Sequence, residues 1–463
     1  MVKKSIRVGL LGLGTVGSAV YRLLNEEADN IGGDARGRLE VARIAVRDLS
    51  RTRPVSPPPK MMTSRPEDIL EDPSIDVVVE VMGGLEPAET LIKGALRRGK
   101  NVVTANKDLM AVHGHELLEI ARASDLSLRY EAAVAAGVPI ISCLNEGLAS
   151  ERIEEIMGIV NGTTNYILCR MTDADESLTW ALARAQEHGY AEEDPTSDLS
   201  GNDAACKVAI MASLAFGVPV RRRDVKVQGI TGITTEDVRC ARKMGHVIKL
   251  VGRAWPEEAG IKALVAPHLV PWTHPLAQVK GVDNLVQIHG AAAGPISLGG
   301  AGAGGRATAS AIAADLGAIA HDLASGHSTP RPNRTPPRLA GGGRKEAAFY
   351  LRVVADERPS VLSQMISIMA DHGVGLREVV RLPTGTRGGA WILLVAPIVE
   401  DRLWDAVWIL EGLTAVRGRI TVIRFLPGGS LHQTQTQSSH EPIATTRPGA
   451  VETCRLSGHM WSS

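Results

Sequence analysis

The sequence predicts an α/β protein. A parallel sheet with helices on both faces comes first, an α+β region follows, and a small βαββαβ unit lies near the C-terminal end. Three observations carry this: strand–helix alternation over the first 130 or so residues, a glycine fingerprint at the first strand–helix turn, and renewed alternation between 347 and 425. At 463 residues the chain is long enough for about three domains.

Each unit follows from its pattern. Apolar runs at 6–11, 41–46, 77–81, 101–104 and 126–130 are strand-like, and amphipathic stretches such as 16–24 and 87–97 fit between them as helices. Alternation of this kind makes parallel sheets. Residues 51–59 are Pro-rich and form a loop. Helical stretches at 178–188 and 203–216 then mix with short β-rich runs at 261–265 and 285–288. A Gly-rich run at 299–305 leads into a strong helix at 307–324. The expected units are therefore 1–131, 132–325, a Pro/Gly/Arg-rich linker at 326–345, a third domain at 346–428, and a disordered Ser/Thr/Gln/His-rich tail at 429–463. There are no internal repeats.

Composition narrows the function. Net charge is zero, which argues against a nucleic-acid binder or a polybasic membrane surface. Aromatic residues are 3% of the chain, so the core must be aliphatic. Five scattered cysteines with no metal-ligand spacing suit reduced thiols. With no signal-like start and no spanning apolar run, a cytoplasmic protein is expected. His113 and His115 lack a third ligand at a suggestive spacing, so no zinc site is expected there.

GLGTVG places Gly12, Gly14 and Gly17 in GxGxxG spacing after the first strand. The glycines serve a tight turn, close approach of a pyrophosphate, and close helix–strand packing. Thr15 and Val16 stand at the following helix N-terminus, where free amides favour phosphate. This is the Rossmann-type fingerprint, so the expected cofactor is NAD or NADP. After the second strand come Arg47, which would welcome the 2′-phosphate of NADP, and Asp48, which would suit the ribose of NAD. Arg47 tilts the reading toward NADP.

The chemistry-bearing residues lie further on. TANK puts Thr104, Asn106 and Lys107 at the carboxyl end of a strand, where ligands of open α/β sheets bind. GYAEEDPTSDLSGNDAACK then crowds Glu192, Glu193, Asp194, Asp198 and Asp203 into a loop and a helix start, with Lys207 one helical turn after Asp203. Carboxylates can cradle a substrate ammonium, and a lysine among them can hold or relay a proton. Taken singly, Lys107 would be a surface lysine and Asp203–Lys207 a routine helical pair. The density of the cluster argues otherwise. Cys206 is a small core filler.

This stretch resembles the signature of homoserine dehydrogenases: Ala185, Gly189, Asp194-Pro195, and DLxGxDxxxK from Asp198 to Lys207. NGTTNYIL, VMGG, TANK, EAAVAAGVPI and the late Gly-rich run are similar to further blocks of that family, so the resemblance spans about 6–324. It implies interconversion of aspartate β-semialdehyde and homoserine with NAD or NADP, on the route to threonine, isoleucine and methionine. Lys207 would handle the proton on the reacting oxygen and Lys107 would lie at the cofactor and substrate. Glu192, Asp198 and Asp203 would hold the amino acid. The family also carries a monovalent cation, usually sodium, and Glu131, Val134, Ala136 and Val138 match its ligands. One departure is Ala307, where the family has proline.

Residues 347–427 resemble the ACT domain, a ligand-binding βαββαβ fold. The likeness implies an amino-acid effector, threonine, and a homo-oligomer, dimer or tetramer. Ser360 replaces an expected glycine. Two other readings stay open: a dehydrogenase of a related amino-acid semialdehyde, and a non-catalytic nucleotide-binding sensor.

Overall fold

The computed structural model describes residues 5–26, 38–325, 345–382, 389–426 and 453–454. The expected linker up to 344, and the expected tail apart from 453–454, lie outside the described residues.

Six strands form the N-terminal sheet: β1 (Ser5–Leu11), β2 (Arg38–Ala45), β3 (Met62–Thr63), β4 (Val77–Glu80), β5 (Asn101–Thr104) and β6 (Leu128–Arg129). All neighbours are parallel, in the order β3-β2-β1-β4-β5-β6. This is the doubly wound order whose reversal at β1/β4 opens a ligand crevice at the carboxyl ends of the strands. Alternation of side chains builds the two faces. Val78 and Val102 point to α2 (Ala88–Arg97) and α3 (Lys107–Ala123), where they share a core with Leu91, Ile92, Leu109 and Leu117. Val77, Val79 and Val103 point the other way, into a core with Val20 and Leu24 of α1 (Thr15–Glu26).

The second region is built on β7 (Ile153–Ile159) and four helices: α4 (Gly162–Ala174), α5 (Leu178–Glu187), α6 (Asn202–Phe216) and α7 (Thr235–Lys243). A short strand, β8 (Lys226–Val227), lies between α6 and α7. Two antiparallel hairpins follow. The first pairs β9 (His246–Glu257) with β10 (Gly260–Pro271), and the second pairs β11 (Asp283–Gly290) with β12 (Gly294–Ala301). The glycine run expected at 299–305 therefore begins as the end of β12. The helix that follows, α8 (Gly305–Ser325), starts earlier than its apolar pattern suggests. It packs against α1, and Ile312, Leu316 and Ile319 join the N-terminal core. A segment late in the chain thus supplies part of the first layer.

The last unit has the expected order: β13 (Glu346–Ala355), α9 (Pro359–Asp371), β14 (Leu376–Leu382), β15 (Gly389–Val399), α10 (Glu400–Glu411) and β16 (Thr421–Phe425). Its strands do not form a separate sheet. β16 pairs in parallel with β10, giving one mixed sheet that runs β12-β11-β7-β9-β10-β16-β13-β15-β14. Asp237 of α7 fastens the join. Its carboxylate, 1% exposed, accepts from Tyr350 Oη at 2.7 Å and Arg352 Nε at 2.8 Å, while Arg352 also reaches Gly232 O and Thr421 Oγ1. The same carboxylate completes a capping box with Thr234.

Removing one partner of a buried charge pair leaves the other uncompensated. Asp237→Ala is expected to cost about 3–5 kcal/mol of unfolding free energy, and Tyr350→Phe only about 1. Urea denaturation followed by circular dichroism checks both; a larger loss in Tyr350→Phe would contradict this reading of the join.

Candidate active site

The glycine fingerprint takes the geometry its spacing demands. Gly12 has φ +107°, and a Cβ there would stand 2.9 Å from Val81 O. A Cβ on Gly17 would stand 2.2 Å from Gly12 O, so α1 packs on the turn only because both residues are glycine. Gly14 faces open space. Thr15 is exposed at the first turn of α1 and Val16 is partly buried behind it. Arg47 and Asp48 are both exposed just past β2. Asp48 is occupied with Ser50, whose N–H and hydroxyl donate to Oδ1 at 2.8 and 2.6 Å.

At the carboxyl ends of β4 and β5 a buried glutamate organises two loops. Glu80, fully buried, accepts from Thr104 Oγ1 at 2.6 Å and from the amide of Met82 at 2.7 Å. Thr104 is thereby committed inside the fold: its hydroxyl also accepts from Asn106 N–H at 3.0 Å. Asn106 caps α3 through Leu109 N–H and donates to Gly84 O at 2.6 Å. These bonds tie VMGG to TANK and aim Lys107, the first residue of α3, away from the sheet.

Lys107 meets the second motif there. Its Nζ lies 3.0 Å from Asp203 Oδ1, and Lys207 Nζ lies 2.8 Å from Asp203 Oδ2. Lys207 also donates to Val160 O at 2.7 Å. Asp203 is 6% exposed. Burial works against its charge, but the two lysines outweigh burial and hold its carboxyl well below the usual carboxylate range. Burial likewise pulls Lys107 down, and the attraction of Asp203 more than reverses it, so its net shift is upward. The two lysine side chains thus share one carboxylate. Gly201 makes the approach possible: at φ +84° it turns the chain into α6, and a Cβ there would come within 3.0 Å of Val227 Cγ1.

Asn161 completes the cluster. Its Nδ2 donates to Asp198 Oδ1 at 2.6 Å and to Asp203 Oδ2 at 2.8 Å, while Oδ1 caps α4 at Thr164 N–H. Sequence reasoning noticed the NGTTNYIL block but not this residue. The signal was an Asn–Gly step ahead of a helix, which is also what any cap looks like. Glu80 was missed too, inside an apolar run where a lone glutamate marks a buried strand end. Of the five acidic residues in the crowded stretch, Asp198 and Asp203 are drawn into the cluster. Glu192, Glu193 and Asp194 are exposed in the loop, which Thr163 holds through Tyr190 O at 2.8 Å. Cys206 is buried, and burial above all, with Asp108 beside it, pushes its thiol up to about 12. It is packing rather than a nucleophile, as the sequence suggested.

Glu131 is buried, and its two carboxylate oxygens accept the amides of Ile141 and Ser142 at 2.8 Å each. Burial pushes its carboxyl up. Ala135 and Ala136 have φ of 51° and 41°, costly for residues with a Cβ, in the turn that carries Val134 and Val138. A buried acid beside a strained turn of backbone carbonyls fits a hard cation with oxygen ligands. His113 lies 3.5 Å from Glu89 and 4.0 Å from Glu116. Lys93 already bridges those two carboxylates at 2.7 and 2.6 Å.

Comparison with known proteins agrees with this geometry. Residues 12–131 match the family model for the NAD-binding domain of homoserine dehydrogenase, and 139–316 match the homoserine dehydrogenase model itself. The homoserine dehydrogenase of Bacillus subtilis is 40% identical over 82% of this chain and 88% of its own length. The crystal structure of a homoserine dehydrogenase from Thiobacillus denitrificans superposes with a TM-score of 0.82 at 40% identity, covering 91% of this chain and 98% of the other. A hyperthermophilic archaeal homoserine dehydrogenase in complex with NADPH reaches 0.59 at 27% identity over 71% of this chain and 99% of its own. With the dinucleotide turn, the TANK loop and the shared Asp203 in place, the chain belongs to the homoserine dehydrogenase family of NAD(P)-dependent oxidoreductases.

Proposed function

We propose that the chain interconverts L-aspartate 4-semialdehyde and L-homoserine, serving threonine, methionine and isoleucine biosynthesis, and that Lys207 is its proton-handling group. The observation that carries this is the pair of lysines on one buried carboxylate at the carboxyl end of the parallel sheet. The nicotinamide, when bound, supplies or accepts the hydride at the aldehyde carbon. Gly12, Gly14, Thr15, Val16 and Gly17 hold its pyrophosphate, and exposed Arg47 favours the 2′-phosphate of NADP. Thr104 orders the loop beneath it.

Two of the three N–H donors of Lys207 are taken, by Asp203 and Val160. The third is the one the substrate oxygen receives. In reduction, the ammonium stabilises the developing alkoxide and delivers a proton to it; in oxidation it takes that proton back. Lys107 places a second positive charge at the same oxygen. Asp198 and Asp203, with Glu192 from the exposed loop, bind the amino-acid portion. Glu131 and the backbone of Val134, Ala136 and Val138 would hold a monovalent cation such as sodium, fixing the turn between the nucleotide and catalytic regions. The related-semialdehyde and sensor readings have no specific observation in their favour.

The C-terminal βαββαβ unit is proposed as an ACT domain that binds threonine as a feedback effector. Its sheet is continuous with the catalytic sheet through β16 and β10, which gives an effector a direct mechanical route. A homo-oligomer, dimer or tetramer, belongs to the same reading. Cys169, Cys206 and Cys240, which are free thiols, suit the cytoplasm, and among the described residues no helix is long and apolar enough to cross a membrane.

Purified protein given homoserine and NADP, then NAD, is expected to raise absorbance at 340 nm. Lys207→Ala should lower kcat by about 10²–10⁴-fold with cofactor affinity within about twofold of wild type. Near-normal turnover in the variant would refute the assignment. Threonine titrated into the same assay is expected to inhibit; a rate unchanged at millimolar threonine would remove the feedback reading.

A further inference from the structure

Two strands from different regions share one edge of β10. Its other edge is taken along the whole strand by β9. On the shared edge, β8 pairs in parallel at Leu264 and Val265, and β16 pairs in parallel at His268 and Leu269. Gln228 stands at the seam between them. Its N–H donates to Val265 O at 2.8 Å, its Nε2 donates to Val422 O at 2.7 Å, and its Oε1 accepts from Arg424 Nη1 at 3.2 Å. One residue of the catalytic region is thus bonded by its backbone to β10 and by its side chain to β16 of the C-terminal unit.

The backbone around Gln228 lies directly on the turn that joins Asp198 to Asp203. Ile230 N–H donates to Leu199 O at 2.9 Å, and both residues are buried. A Cβ on Gly229 would stand 2.2 Å from Leu199 O and 2.7 Å from Ser200 Cα, so main chain meets main chain with no side chain between. A Cβ on Gly201 would stand 3.7 Å from Gln228 O. Further on, the same segment is tied to the C-terminal unit again: Gly232 O accepts from Arg352 Nη2 at 3.0 Å and from Thr421 Oγ1 at 3.3 Å. Residues 227–232 therefore form a strap. Its middle rests on 199–201, and its bonds run to β13 and β16. None of these partners belongs to the N-terminal sheet.

The two carboxylates flanking that turn are not held alike. Asp203 is gripped by Lys107, Lys207 and Asn161, whereas Asp198 accepts from Asn161. A shift of the turn falls first on Asp198 and leaves the lysines seated. We propose that Gln228 is a positioning residue for substrate recognition: through the strap it sets Asp198 according to the place of β16. The C-terminal unit then acts on affinity for the amino acid and not on affinity for the nucleotide. The assignment rests on the dehydrogenase reading above and names the route by which an effector of the C-terminal unit reaches the site.

Steady-state kinetics of the full-length protein test it, with homoserine and NADP varied in turn. Gln228→Leu keeps much of the volume and loses both bonds to β16. Its KM for homoserine should rise about five- to tenfold, the worth of one or two hydrogen bonds. Its kcat, and the dissociation constant of NADPH read from the nucleotide's own fluorescence, should stay within about twofold of wild type. Thr421→Val, an isosteric change on the far side of the strap, should give the same split at about threefold. Amide hydrogen exchange reads the strap without turnover: peptides covering 198–203 should exchange faster in both variants, and peptides covering 12–17 should not. Threonine should shift the homoserine KM of Gln228→Leu by less than half the factor seen in wild type. Equal rises in KM for homoserine and NADP would mean that Gln228 only stabilises the join, and would overturn the proposal. So would a homoserine KM, or an exchange rate over 198–203, that is unchanged in both variants. A wild type on which threonine has no effect would refute the feedback reading, and the KM split and exchange rates would still decide the strap. A protein that fails to oxidise homoserine would refute the substrate reading, and the exchange rates alone would then decide it.

Discussion

The arrangement depends on one carboxylate shared by two lysines. Asp203 is buried, and an isolated charge there would be driven to protonate; the two lysines keep it ionised, and it keeps them in place. Lys107 comes from the first helix after β5 and Lys207 from a helix of the second region. The shared carboxylate is therefore also a fastener between the nucleotide sheet and the catalytic region. Asn161 extends the same network to Asp198, so the cluster holds its charges and their orientations together.

The scaffold around it explains why these residues can meet. A parallel sheet presents its strand ends at one edge, and there Glu80 uses its buried carboxylate to bind two adjacent loops into one surface. The second region meets that surface with the N-terminal turn of α6, which the left-handed conformation of Gly201 favours. Helix α8 then returns to pack on α1, so the cofactor half and the catalytic half share a core rather than only a crevice. The C-terminal unit is joined just as firmly, through strand pairing and the Asp237 network.

What was legible in the sequence was mainly local. The first-sheet strands show as short apolar runs because both of their faces are buried, and the glycine fingerprint shows because its steric demands admit no other residue at 12 and 17. Lys107, Asp203 and Lys207 could be named because motif and helical spacing place them. What could not be read is long-range. Nothing in the spacing joins Lys107 to Asp203 across the two regions. The twelve-residue strands β9 and β10 surfaced only as a short run at 261–265, because β9 carries Lys249 and Arg253 inward, where Lys249 bonds Asn165 and Arg253 pairs with Glu155. The parallel pairing of β16 with β10 was invisible because the pattern of each strand is complete without the other. Glu192 sits in the densest acidic stretch, and the spacing did not tell that the fold leaves it exposed in the loop.

A double-mutant cycle tests the central claim most directly. If Asp203 and Lys207 act as one unit, the kcat loss for homoserine oxidation in Asp203→Asn/Lys207→Ala should fall well short of the product of the single losses, and any loss beyond that of Lys207→Ala alone should reflect only the remaining contact of Asp203 with Lys107. Losses that multiply in the double variant would mean that Asp203 acts independently of Lys207, and would contradict the account.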